Sequence, residues 1–160
     1  MNHGPGLSHP PYPSGLILAG RRVVIVGGGR VAARRLQAFL DAGAAVTVVS
    51  PDVDPVVREA AKAGTITLIE REYAPGDLSA AWYAMASTDR PAVNAAVLEE
   101  ATAARIFCVR ADDAPLGTAW TPAVGHHEET TVAVLANRDP ERSRRTRDRL
   151  LDALRTPLDG

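Results

Sequence analysis

The run VVIVGGGRVAARR at residues 23–35 joins β-branched residues to a helical stretch through three consecutive glycines. Glycine costs backbone entropy and is kept where something must come very close to the chain. Within the run, Gly27-x-Gly29-x-x-Ala32 has the spacing of a phosphate-binding turn. Gly27 suits the tight turn, and Gly29 lets the backbone approach a pyrophosphate. Ala32, in place of a third glycine, still lets helix and strand pack closely. The helix N-terminus then offers free N–H groups and a partial positive charge to the phosphates, with Gly28, Arg30 and Val31 in the same loop. A turn that is merely glycine-rich is the plainer reading; the strand before it and the helix after it favour dinucleotide binding.

A dinucleotide turn of this kind expects an acid about 20 residues on, at the end of the second strand, to hold the ribose hydroxyls. Here that strand ends in Ser50-Pro51-Asp52, so Ser50 or Asp52 must serve. No arginine follows the strand directly, which favours NAD over NADP. An S-adenosylmethionine-dependent methyltransferase also uses a glycine-rich first turn and stays open as an alternative. Ligands of open α/β sheets bind beyond the carboxyl ends of the strands, at the switch in strand order. Ser87 and Thr88, after the fourth apolar run, should therefore face the cofactor, with Asp89 capping the next helix. Asp112-Asp113-Ala114-Pro115 follows the fifth run. Two carboxylates there read equally as a base or as a simple turn.

His126-His127-Glu128-Glu129 lacks ligand spacing, because neighbours on an extended segment point in opposite directions; a polar hairpin tip is expected and no resident metal. Cys108 lies in an apolar run and reads as a buried small hydrophobe. Arg142, Arg144, Arg145, Arg147 and Arg149 crowd the last helix beside Glu141, Asp148 and Asp152. They form a solvated face or a surface for a polyanion.

The elements that must position these groups alternate. Strands are expected at Val23–Val26, Ala45–Val49, Thr65–Glu70, Trp82–Ala86 and Ile106–Val109, with Leu16–Leu18 as a short edge strand. Helices are expected at Arg30–Ala42, Val53–Ala63 and Pro91–Ala104. On the first, Val31, Leu36, Phe39 and Leu40 share a face. Alternation with short connections predicts an α/β, Rossmann-like parallel five-stranded sheet in the order 3-2-1-4-5. Beyond it, Gly117–Thr121 and Thr130–Leu135 read as two strands, and Asp139-Pro140 opens a helix through Leu154 ahead of the frayed tail TPLDG. The expected organisation is a disordered lead-in over 1–14, a dinucleotide-binding domain over 15–115, a small β segment over 116–138, and a C-terminal helix and tail over 139–160.

The totals limit the function classes. The chain has 160 residues, is 46% hydrophobic and carries a formal net charge of −1, so bulk charge suggests neither nucleic acid nor membrane. A single cysteine excludes an internal disulfide and a cysteine-rich zinc site, and fits a reducing cytoplasm. No apolar run approaches the roughly 18 residues of a membrane span, and MNHGPGLSHPPYPS lacks the apolar segment of a signal peptide.

As a set, VVIVGGGRVAARR, DAGAAVTVVSPD, ASTDRPAVNAAV and IFCVRADDAP, followed by a Trp-Thr-Pro segment, resemble the precorrin-2 dehydrogenase family, the NAD-dependent module of siroheme synthases. The similarity runs from about Gly15 to Leu154. It implies oxidation of precorrin-2 to sirohydrochlorin with NAD as hydride acceptor and Asp113, just before Ala-Pro, as general base. Arg30-Val31 and Pro51-Asp52 fall where the family's loops meet the cofactor. The substrate carries eight carboxylates, which gives Arg144 and Arg145, with Asp112 nearby in the chain, roles in substrate binding. Many relatives also insert ferrous iron as sirohydrochlorin ferrochelatases, and the family dimerises through the strands after the parallel sheet, here about Leu116 to Leu135. A serine that some relatives place near the substrate is Ala136 here, which leaves the chelatase step open. A non-catalytic NAD-sensing domain is the other alternative; it would bind cofactor without needing Asp113.

Overall fold

Successive side chains of a strand point to opposite faces, so an unbroken apolar strand can feed two cores at once. The computed structural model, which describes residues 10–136 and 139–156, shows this at its central strand β1 (Arg22–Gly28). Val23 and Ile25 enter one core with Val46, Val48, Tyr83 and Met85, closed by Ala32 and Leu36 of α1 (Arg30–Asp41) and Val57 of α2 (Pro55–Lys62). Val24 and Val26 enter the other with Val49, Ala84 and Cys108, closed by Val97 and Ala101 of α3 (Pro91–Ala103). The strands β2 (Ala45–Val53), β3 (Thr67–Ile69), β4 (Tyr83–Ala86) and β5 (Phe107–Arg110) complete a parallel sheet in the order β3-β2-β1-β4-β5, as expected.

Several boundaries differ from the sequence reading, each for a local reason. Leu16–Leu18 form no strand; the Leu18 carbonyl accepts the Arg21 N–H at 2.9 Å to close a turn. β2 does not break at Ser50 but continues to Val53 through a bulge, because Val26 pairs with Val49 and Gly28 with Val53. Pro51 is tolerated there because β3 reaches only to Ile69, the partner of Val49, so no ladder bond is asked of it. α2 starts at Pro55 rather than Val53, since the Asp54 carboxylate accepts the Val56 N–H at 2.9 Å and Pro55 takes the first turn. On α1 the expected shared face holds: Leu36 enters the first core, beside Ala32, and Val31, Phe39 and Leu40 pack against it. Gly117–Thr121 is not a strand either. A short 3-10 turn, η1 (Ala114–Leu116), leads into a segment whose Thr118 and Ala119 N–H groups both donate to the Cys108 carbonyl, at 2.9 and 3.1 Å. That segment shields the β5 edge without forming a ladder.

The chain forms two compact units, a larger one over Tyr12–Ala119 and a smaller one from Trp120 onward. The smaller unit is an antiparallel hairpin of β6 (Ala123–His127) and β7 (Thr130–Val134) with the helix α4 (Pro140–Arg155) against it. The tip is Glu128-Glu129 alone. His126 and His127 belong to β6, opposite Thr131 and Thr130. Gly125 gives Leu151 of α4 its seat. Asp139 caps α4 by accepting the Arg142 N–H at 2.9 Å, and the Ala136 N–H is taken up by the Ser143 hydroxyl at 3.0 Å. Asn137-Arg138, most of the expected lead-in and the end of the TPLDG tail lie outside the described residues.

The long connection between β3 and β4 is held by two carboxylates. Glu100 of α3 accepts the Gly76 and Leu78 N–H groups, each at 3.1 Å, and the Tyr73 hydroxyl, which seats fully buried Leu78 in the second core. Asp77 receives both terminal nitrogens of Arg71, at 2.6 and 2.8 Å, and the Ala74 N–H at 2.8 Å. The Arg71 hydrogen bonds are the main cause holding the Asp77 carboxyl below its ordinary range. A depressed folded pKa stabilises above the unfolded value and loses that contribution as pH falls through the folded one. Asp77→Asn is therefore expected to lower the melting temperature at neutral pH and to flatten its decline below about pH 4. Melting curves across the acid range check this, and an unchanged acid limb would remove Asp77 from the acid response.

Candidate dinucleotide site

Strand order reverses between β1 and β4, and the loops after these two strands meet there. Gly27 has φ +98°, and a Cβ on it would lie 2.7 Å from the carbonyl carbon and oxygen of Ser87 and 2.8 Å from the Thr88 nitrogen. The first glycine is thus required by backbone pressing on backbone within the protein itself. Gly28, also buried, faces the other way, where a Cβ would stand 2.4 Å from Val53 Cγ1 in the β2 bulge. Gly29 differs from both: it is exposed, and a Cβ there would meet nothing within 4 Å. It is the N-cap residue of α1 in extended conformation, with no side chain capping the helix. Among the described residues no acceptor takes up the N–H groups of Arg30, Val31 and Ala32. The open turn, the uncapped helix end and the absence of side chains over them fit a pyrophosphate.

The other expected positions surround this turn unevenly. Arg30 is exposed and makes no ion pair among the described residues, and Val31 is half-buried. Pro51 and Asp52 are exposed on the β2 bulge, whereas Ser50 is buried and its hydroxyl donates to the Asp52 carbonyl at 2.6 Å. Asp52 is thus the side chain at this strand end left open to solvent. Ser87 is half-buried; its N–H donates to the Val26 carbonyl at 2.8 Å, and its hydroxyl lies 3.1 Å from the Gly27 carbonyl. Asp89 does not cap α3. Arg90 is the N-cap residue and Asp89 is exposed, because Thr88 and Asn94 already bind the turn. The Asn94 carbonyl oxygen accepts the Thr88 N–H at 3.1 Å and the Thr88 hydroxyl at 2.7 Å, while the Asn94 amide donates to the Thr88 carbonyl at 3.0 Å.

Asn94 was missed by sequence reasoning. The available signal was a polar residue in register with Val97 and Ala101 on the face of α3 that the sheet covers. Arg110 was missed too; it ends β5, only 6% exposed, and its Nε donates to Asp112 Oδ1 at 3.0 Å. That hydrogen bond is the main cause keeping the Asp112 carboxyl below its ordinary range. Asp113 next to it is exposed, and among the described residues no hydrogen bond or ion pair engages its carboxylate. Cys108 is buried, and desolvation pushes its thiol up to about 11, which makes it inert. Arg144 and Arg145 are exposed on α4, in the smaller unit, and make no ion pair or hydrogen bond among the described residues.

Fold and turn together define a dinucleotide-binding domain of the Rossmann class. Residues 16–123 match the family model described as putative NAD(P)-binding. The chain is 35% identical over 123 residues to the precorrin-2 dehydrogenase of Bacillus subtilis (strain 168), a match covering 76% of this chain and 75% of that protein. It is 40% identical over 117 residues to siroheme synthase 3 of Aeromonas hydrophila subsp. hydrophila, covering 73% of this chain and 25% of that protein. Among solved structures, SirC, a precorrin-2 dehydrogenase, superposes with a TM-score of 0.76 at 28% identity, covering 89% of this chain and 70% of that one. The chain belongs to the precorrin-2 dehydrogenase family, and it spans about a quarter of the length of the siroheme synthases it matches.

The contrast between the glycines gives a test. Gly27→Ala, at a positive φ and against backbone, is expected to cost about 3 kcal/mol or more. Gly29→Asp is expected to keep or slightly raise the melting temperature by capping α1, by a few tenths of a kcal/mol, while weakening NAD binding at least tenfold by placing a carboxylate where phosphate sits. Thermal melts with NAD titrations check both, and undiminished NAD binding by the Gly29 variant would exclude this turn as the phosphate site.

Proposed function

We propose that this chain is an NAD-dependent precorrin-2 dehydrogenase of siroheme biosynthesis. The observation that carries the reading is the pairing of an open, uncapped glycine turn with one unengaged carboxylate, Asp113, beyond the end of β5. When bound, NAD accepts a hydride. Gly27, Gly28, Gly29, Arg30 and Val31 would hold its pyrophosphate side, and Asp52, with Ser50 and Pro51 shaping the bulge, would serve its ribose. Ser87 and Thr88 line the loop beside it. Asp113 takes the proton that leaves with the hydride, so precorrin-2 loses two hydrogens, one as hydride and one as proton, and becomes sirohydrochlorin. Its exposed carboxylate makes no hydrogen bond or ion pair among the described residues, which supports this role.

Arg144 and Arg145, exposed and without an ion pair among the described residues, are assigned to the substrate's carboxylates. Ferrous iron is the substrate of the second reaction in this reading, its insertion into sirohydrochlorin. The working form is a homodimer built through the β6–β7 segment, where Val124 is exposed. The place of action is the cytoplasm; no helix among the described residues is long and apolar enough to cross a membrane.

The test is anaerobic: precorrin-2 generated in place, with NAD and purified protein, NADH and the sirohydrochlorin spectrum followed together. Coupled appearance of both is expected above a control without enzyme, and ferrous iron added afterwards reads the second reaction. Asp113→Asn is expected to lower turnover by about 100-fold or more with NAD affinity retained; unchanged turnover would remove Asp113 as the base. NAD binding without either product would sink the dehydrogenase reading in favour of a sensing domain. Converting Arg144 and Arg145 together to Ala is expected to raise KM for precorrin-2 severalfold at unchanged NAD affinity, and an unchanged KM would reject their role.

A further inference from the structure

The loops after β4 and β5 are tied together by groups that the proposed reaction does not use. The Ala111 N–H donates to the Ala86 carbonyl at 2.9 Å, joining the two strand ends. Arg110 is buried, with a side chain only 7% exposed, and both its Nε and its Nη2 reach the Asp112 carboxylate. A buried guanidinium left without a partner is strongly destabilising, so Asp112 is held in one geometry by its neighbour. Asn94, fully buried, grips Thr88 through both its N–H and its carbonyl. Thr88 in turn lies where the Cβ of a residue at Gly27 would stand. The glycine turn thus meets the Thr88–Asn94 turn, and the Ala86–Ala111 hydrogen bond joins that turn's strand to the residue before Asp112.

We propose that Asp112 is a positioning residue rather than a second base: its two-pronged pairing with Arg110 fixes the loop after β5 against the Thr88–Asn94 turn and leaves Asp113 as the carboxylate that takes the proton. The inference rests on the dehydrogenase reading and assigns distinct roles to two adjacent, chemically identical side chains. The groups near the Arg110 guanidinium are Asp112, Asp113 and the inert thiol of Cys108. The two carboxylates therefore see the same cation, but only Asp112 is bonded to it.

The experiment compares Asp112→Asn, the double variant Arg110→Met/Asp112→Asn, and Asp113→Asn with the full chain. Asp112→Asn is expected to lower kcat by about 10- to 100-fold, the scale of a misplaced reacting group, with KM for NAD within about twofold of the parent. The acid limb of its pH–rate profile stays where it was, because the base is intact. Asp112→Asn alone strands a buried cation and can fail to fold; the double variant removes both charges and guards against that. The double variant is expected to recover melting temperature without recovering kcat. Recovery of both would mean that the pair only stabilises, and would overturn the proposal. A shifted acid limb, or a loss in Asp112→Asn as large as in Asp113→Asn, would make Asp112 a base and overturn it as well.

Failure of the underlying reading has a separate signature, in that wild-type protein binds NAD and does not oxidise precorrin-2. The clamp is then read without turnover, by amide hydrogen exchange on NAD-loaded protein. Exchange at Thr88 and Ala111 is expected to quicken together in the double variant. Unchanged exchange at either amide would overturn the clamp.

Discussion

Everything at the carboxyl edge of the sheet depends on one backbone contact, that of Gly27 with Ser87 and Thr88. At 2.7 to 2.8 Å from a would-be Cβ, there is no room for any side chain between the ends of β1 and β4. Because the two strands are neighbours and their following loops depart at the reversal in strand order, the contact fixes where both loops begin. The glycine turn and the post-β4 turn are therefore one rigid object. The Ser87 N–H on the Val26 carbonyl and the Ala111 N–H on the Ala86 carbonyl repeat the same joint one strand at a time toward β5. The proposed site, spread over three loops, is thereby referenced to a single sheet edge, which would bring the proposed cofactor turn and the proposed base into register without a large loop of their own.

The sheet itself was legible in the sequence because its strands are short apolar runs divided by strong breakers. Val23–Val26 and Ala45–Val49 are too short for helices of their own and strongly β-branched, so they read as buried strands once helical patterns flank them. What sequence reasoning misjudged were places where a tertiary partner overrides a local signal. Pro51 reads as a strand end, yet the strand continues because β3 stops before it and Gly28 makes room for Val53. Leu16–Leu18 reads as a strand, but its carbonyl turns back on Arg21. Gly117–Thr121 has strand composition, but the donors at Thr118 and Ala119 both converge on one carbonyl.

For the candidate site, the geometry of the glycine turn was legible because it is a backbone requirement, and backbone requirements leave an explicit residue-type signature. Side-chain networks leave a fainter one. Asn94 sits in an apolar helix register, which marks a buried polar group but not what it binds. Arg110 ends an apolar strand and looks like the first solvated residue after it; only the fold reveals that it is buried and that Asp112 is its partner. The sequence shows two aspartates in a row. Their different surroundings arise from Arg110, whose fork takes both oxygens of one and leaves the other in solvent.

The helix termini carry the same logic further. α2 and α4 are each capped by an aspartate that accepts an N–H of the first turn, at 2.9 Å in both cases. α3 lacks a side-chain cap at Arg90, but the preceding turn is bound by Thr88 and Asn94. α1 alone among these helices begins at an exposed glycine with its first N–H groups unclaimed. Capping residues are worth about 1 kcal/mol each, and this chain uses them readily elsewhere, so their omission at α1 is not explained by folding. An aspartate at Gly29 would satisfy the helix and repel a phosphate. A glycine leaves both the donors and the positive end of the helix dipole for an anion to complete. The end of α1 is thus the point at which stability has been left below its local optimum, and such departures from local consistency are expected where a ligand supplies the missing partner.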